Sequence, residues 1–207
     1  MITENIRKPA WFFYPAWVGL SGISILAAWF VSLAILSQIT QVVGGRIQVG
    51  GHSHITEDFL FGYVFVPLLG LLTGLLQYLI LWNLSPRMKW WIVATLLGWL
   101  LFAVVLFLLS LFVSFSNAPS PAFAGLLIGG AIGLSQWFVL RQWVHRAALW
   151  IPINALGWAM ALLLTDGAIS SNQDVLAVVF LPPFITSVGW WLLLDKLPQR
   201  ESVPGSI

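Results

Sequence analysis

The sequence predicts an all-α integral membrane protein of six transmembrane helices, and three observations carry that expectation. Hydrophobic residues make up 59% of the 207 and charged residues only 8%, with a mean hydropathy of +0.94. A soluble domain carries about 25% charged residues, so this chain cannot cover a water-facing surface. Six apolar stretches, 11–37, 59–82, 89–115, 122–143, 148–168 and 174–195, each reach the length of about 20 residues that a helical span needs. Finally, one helical hairpin is written twice, with cores at 70–99 and 129–158. The whole chain, 1–207, reads as a single transmembrane domain.

The first span follows a charged head, "MITENIRKPAW", and runs on too long for a signal peptide, whose apolar region is about 7–15 residues. It is expected to be retained. Residues 38–58, "QITQVVGGRIQVGGHSHITED", then form a long polar outer loop. Within it His52 and His54, beside Glu57 and Asp58, are weak metal candidates, because a site needs a third clear ligand. A solvated loop is the stronger reading, and no metal is assigned.

Spans two and three are joined by a turn bearing Arg87 and Lys89, and spans four and five by one bearing Arg141, His145 and Arg146. Arg7 and Lys8 precede the first span, and Lys196 and Arg200 follow the sixth. Of nine Lys and Arg, only Arg46 falls on the other side. The excess of basic residues on inner loops then predicts both termini in the cytoplasm. The remaining outer loops, "SFSNAPSPAF" and "TDGAISSNQD", carry no basic residue. Trp11, Trp82, Trp90, Trp91, Trp143, Trp150, Trp190 and Trp191 gather near the inner ends, which reads mainly as an aromatic belt at headgroup level.

The duplicated hairpin keeps its rarer residues. Gly70, Gly74, Gln77, Arg87, Trp91 and Gly98-Trp99 match Gly129, Gly133, Gln136, Arg146, Trp150 and Gly157-Trp158, and Thr95 is replaced by Asn154. Gly70, Gly74 and Gln77 lie on one face of the second span, and Trp91, Thr95 and Gly98 on one face of the third. Small residues let membrane helices approach, and an amide in lipid must find a partner. Gln77 and Gln136 are therefore expected to bond a neighbouring Thr95, Asn154, indole N–H or carbonyl. Packing is the main reading; a polar ligand pocket built from Gln77, Gln136, Thr95, Asn154, Trp91 and Trp150 is the alternative. Because both hairpins start outside and turn inside, the repeat is tandem and parallel. A fainter third copy pairs Thr186 with Thr73 and Arg200 with Arg87, which would join the sixth span to the first around a pseudo-threefold axis.

In the sixth span "FLPPF" places Pro182 and Pro183 mid-helix, where each removes a backbone donor. A structural kink is the main reading; because a helix broken inside a membrane marks a binding site, the pair is also a candidate site. No acidic or basic side chain falls at a span centre, which argues against a proton- or ion-coupled pump. No GxSxG, HExxH or phosphate-loop motif occurs. There is no cysteine, so no disulfide, thiolate metal site or Cys nucleophile.

The doubled pattern G-x-x-Q-[YW]-x-x-L…R…W…G-W, at 74–99 and 133–158, resembles that of uncharacterised multi-span membrane proteins of cyanobacteria and Chloroflexi-type bacteria. The resemblance covers about half the chain and implies a bacterial plasma or thylakoid membrane. It brings no activity with it. The sequence thus predicts a non-catalytic membrane subunit or scaffold that binds lipid, pigment or other membrane subunits, and not nucleic acid. The alternative is a small-molecule-binding unit similar to the six-helix S-components of vitamin transporters. No cofactor is named by any motif.

Overall fold

The computed structural model describes residues 10–49, 51–82, 84, 86–112, 120–144, 146–165 and 171–194. Six helices account for nearly all of it: α1 (Phe13–Val43), α2 (Thr56–Leu81), α3 (Trp90–Phe112), α4 (Pro121–Leu140), α5 (Trp150–Leu164) and α6 (Asn172–Leu194). All six, α5 with the 3₁₀ turn before it, are long and apolar enough to cross a bilayer. The protein is an all-α integral membrane protein.

Its helix ends follow local chemistry. Ser120 caps α4, accepting from the Phe123 N–H, with Pro121 at the first helical position, where its missing donor costs nothing. At α6, the Ser171 hydroxyl accepts from the Asp174 N–H while the Asp174 carboxylate accepts from the Ser171 N–H, a reciprocal capping box. The α2–α3 and α4–α5 turns each enter the next helix through a short 3₁₀ segment, Pro86–Lys89 and Ala147–Leu149.

The expected outer loop at 38–58 is more ordered than the sequence suggested. Nothing in "SQITQVV" interrupts α1, so it continues to Val43 and stops only at Gly44, whose φ of 98° favours glycine. Beyond it, β1 (Arg46–Val49) pairs antiparallel with β2 (His52–Ile55), Val49 opposite His52, and Gly51 in the turn has φ 81°. Thr56 locks this hairpin down: its hydroxyl donates to the Gly44 carbonyl (2.7 Å) and its N–H to that of Gly45 (3.2 Å).

Each helix packs on its neighbours in sequence, and α6 packs on α1, so the six form a closed ring. Glycines set the closest seams. A methyl group at Gly74 would lie 2.9 Å from the Ile92 Cα of α3, and one at Gly129 would run into the backbone of Asn154 in α5. Both belong to the predicted glycine stripes and do what close helix approach requires. The ring interior divides into two apolar clusters. One, at the end bearing the α2–α3 and α4–α5 turns, is built on Phe13, Trp17, Trp91, Trp150 and Trp190; the other contains Ile25, Leu69, Trp99, Ile128 and Trp158.

The tryptophans correct the aromatic-belt reading. Trp91, Trp150 and Trp190 are fully buried with Trp17 in a cluster whose ring centroids lie 4.9–6.1 Å apart. Their immediate neighbours Trp90 and Trp191, with Trp11 and Trp82, are exposed and suit the belt. Helical rotation separates adjacent indoles into core and rim, which a count at span ends could not resolve.

Candidate functional site

The polar side chains of the ring interior sit between the two apolar clusters. Ser21 of α1, Thr73 and Gln77 of α2, Thr95 of α3, Gln136 of α4, Asn154 of α5 and Thr186 of α6 are all buried. With Trp17, Trp99, Trp158, Pro182 and Pro183 they line a pocket of about 40 Å³. A buried water needs roughly 10–15 Å³ and two or more polar partners, so the pocket holds a few small polar atoms.

Each glutamine ties three helices together. The Trp91 indole donates to Gln77 Oε1 (2.8 Å), and Gln77 Nε2 donates to the Ser21 hydroxyl (3.0 Å). The Trp150 indole likewise donates to Gln136 Oε1 (2.8 Å), and Gln136 Nε2 to the Thr95 hydroxyl (2.9 Å). An indole N–H only donates, which fixes the amide orientation in both cases. Of the partners foreseen, the indole within the same hairpin is right for both glutamines. The second bond reaches the preceding helix instead: Thr95 bonds Gln136, not Gln77.

Of the six site residues expected from the sequence, Gln77, Gln136, Thr95 and Asn154 line the polar pocket, and Trp91 and Trp150 reach its glutamines from the tryptophan cluster. Asn154 departs from the pattern, donating Nδ2 to the backbone carbonyl of Trp150 (3.0 Å). Ser21, Thr73 and Thr186 complete the layer and were not foreseen as its members. Thr186 accepts the Trp17 indole (3.0 Å) and donates to the carbonyls of Pro182 and Pro183. It thereby does for Trp17 what Gln77 does for Trp91, and the expected pairing of Thr186 with Thr73 is one helical turn out. Thr73 bonds Ser24 of α1 instead (2.8 Å). Arg200, the other end of that third copy, lies outside the described residues.

Pro182 and Pro183 do not break α6, which is continuous from Asn172 to Leu194. They withdraw the donors that the Val178 and Val179 carbonyls would otherwise receive, and they form one wall of the polar pocket. The weak metal candidates lie elsewhere. His54 packs its ring 5.2 Å from that of Phe59, and the His52 side chain is outside the described residues. Among the described residues no three His, Cys, Asp or Glu gather to hold a metal.

Above the polar layer opens a second, larger cavity of about 450 Å³, lined by all six helices. Every lining side chain is apolar or aromatic, among them Leu26, Phe30, Phe65, Ile128 and Val178. The cavity and the polar pocket share Ile25, Trp99 and Trp158, whose indoles meet edge to face at 5.2 Å. Phe30 lines the cavity yet is 65% exposed, so the cavity is not sealed there. Nothing in the sequence pointed to this cavity, because a gap between helices leaves no signature in any one of them.

Compared with protein-family models, curated proteins and solved structures, the chain finds no match.

Proposed function

We propose that this protein is a non-catalytic membrane subunit that holds one lipophilic molecule inside its six-helix ring, with the basic turns and both termini on the cytoplasmic side. The observation that carries the reading is the 450 Å³ apolar cavity, which falls within the roughly 300–1,000 Å³ of small-molecule sites. An occupant that matches the apolar lining gains dispersion contacts that an unfilled cavity forgoes. A molecule that matches an apolar lining is held in lipid rather than in water, so the occupant would enter from the bilayer. The polar layer supports a binding role, because its amides, hydroxyls and indoles offer hydrogen bonds to a ligand.

Quenching of indole fluorescence by 1-bromododecane tests the reading, since Trp29, Trp99 and Trp158 line the cavity. Saturable quenching is expected in the native protein and its weakening when Ile128→Phe, Val175→Phe and Val178→Phe together narrow the cavity. Linear quenching, identical in both proteins, would overturn the proposal.

A further inference from the structure

Two glutamines close two seams of the polar layer, and the third seam lacks one. Ser21 and Thr95 each lie one helical turn after a buried tryptophan, Trp17 and Trp91, and each accepts a hydrogen bond from a glutamine amide. Asn154 lies one turn after Trp150 and occupies the corresponding place on α5. On α6 the same pocket is lined by Thr186, whose side chain is shorter than that of glutamine. Thr186 accepts the Trp17 indole, as the glutamines accept theirs, but returns its proton to its own helix. No donor reaches Asn154. Its Nδ2 is engaged by the Trp150 carbonyl, an acceptor only, so the amide cannot turn over. Among the described residues no hydrogen bond reaches its Oδ1, which is open to the polar pocket rather than sealed, although Asn154 is only 5% exposed.

The geometry points to Asn154 Oδ1 as the acceptor for the head of the bound molecule. We infer that the occupant carries an uncharged O–H or N–H donor, such as a long-chain alcohol or primary amide, which takes the place of a missing third glutamine. This inference rests on the cavity being a lipophile site and adds the chemistry of its inner end. The apolar body would lie in the 450 Å³ cavity and the head would pass Trp99 and Trp158 into the 40 Å³ pocket. No charged side chain lines either space, so a carboxylate, phosphate or ammonium would be buried without a counter-charge.

Retention of tritium-labelled 1-hexadecanol, hexadecane and hexadecanoate by the protein in lipid nanodiscs tests the assignment. The native protein should retain the alcohol at least about tenfold better than the alkane or the carboxylate, since an unmet buried acceptor is costly. Asn154→Leu should bring the alcohol down to the level of the alkane. Thr186→Gln should also lose the preference, because its amide would satisfy Asn154 itself, and should raise the melting temperature. That variant carries the test should Asn154→Leu not fold. Saturable retention without preference for the alcohol, or a preference unchanged in both variants, would overturn the head assignment and leave the cavity reading standing. No saturable retention of any probe would overturn both.

Discussion

Gln136 is held by chemistry more than by bulk. Its carboxamide is 2% exposed and answers a donor-only indole on one side and a hydroxyl on the other. Gln136→Leu keeps the volume but leaves the Trp150 N–H unmet, at a cost of about 2 kcal/mol. For a chain of this size that amounts to a fall of roughly 4–8 °C in melting temperature, readable by thermal denaturation in detergent. Trp190 offers the contrast, because its buried indole N–H has no partner among the described residues. Trp190→Phe removes an unsatisfied donor and some packing, so it should destabilise less than Trp91→Phe, which strands Gln77 Oε1. An equal fall in both would show that packing alone governs the cluster. The glutamines were legible in the sequence because an amide among apolar residues demands a partner. Their second partners were not, since those depend on which helix closes against which. One available signal was passed over: "WVGLS", "WIVAT" and "WIPIN", starting at Trp17, Trp91 and Trp150, each place a hydrogen-bonding residue one turn after the indole.

At the scale of elements, the helices were legible because six apolar runs of the right length admit few other readings. Their ends were less so. α1 overran its expected boundary because polar residues beyond the hydrocarbon do not stop a helix; Gly44 does. The β-hairpin was foreshadowed by alternation in "RIQV" and "HSHI" around a Gly-Gly pair, a pattern hidden by treating the stretch as polar loop. Pro182 and Pro183 read as a kink first and as a candidate broken-helix site second, and α6 runs uninterrupted through both. The glycine stripes make the sharpest prediction. Gly129 abuts the α5 backbone, whereas a methyl group at the adjacent Gly130 would meet nothing within 4 Å. Gly129→Val should drive α4 from α5 and abolish the cooperative melting transition. Gly130→Val should stay within about 0.5 kcal/mol of the native protein. Equal stability of the two variants would mean that the α4–α5 seam is not set by close backbone approach.

The whole molecule is a ring whose ends differ: a tryptophan plug beside the basic turns, a polar layer, then an apolar chamber towards the β-hairpin. This order gives the orientation of the chain a functional consequence, for the chamber would then belong to the outer leaflet. The absence of cysteine makes that testable without altering the background. Gln48→Cys lies on β1 and Gln142→Cys in the α4–α5 turn, and both residues are exposed. The proposed orientation, drawn from the excess of basic residues at the α2–α3 and α4–α5 turns, has those turns inside. A membrane-impermeant maleimide should therefore label Gln48→Cys in intact cells and Gln142→Cys only after permeabilisation. The reverse pattern would turn the ring over, put the chamber in the inner leaflet and require its occupant to be drawn from cytoplasmic lipid. Labelling of both in intact cells would break the single-pass alternation of the helices, and with it the closed ring on which the chamber depends.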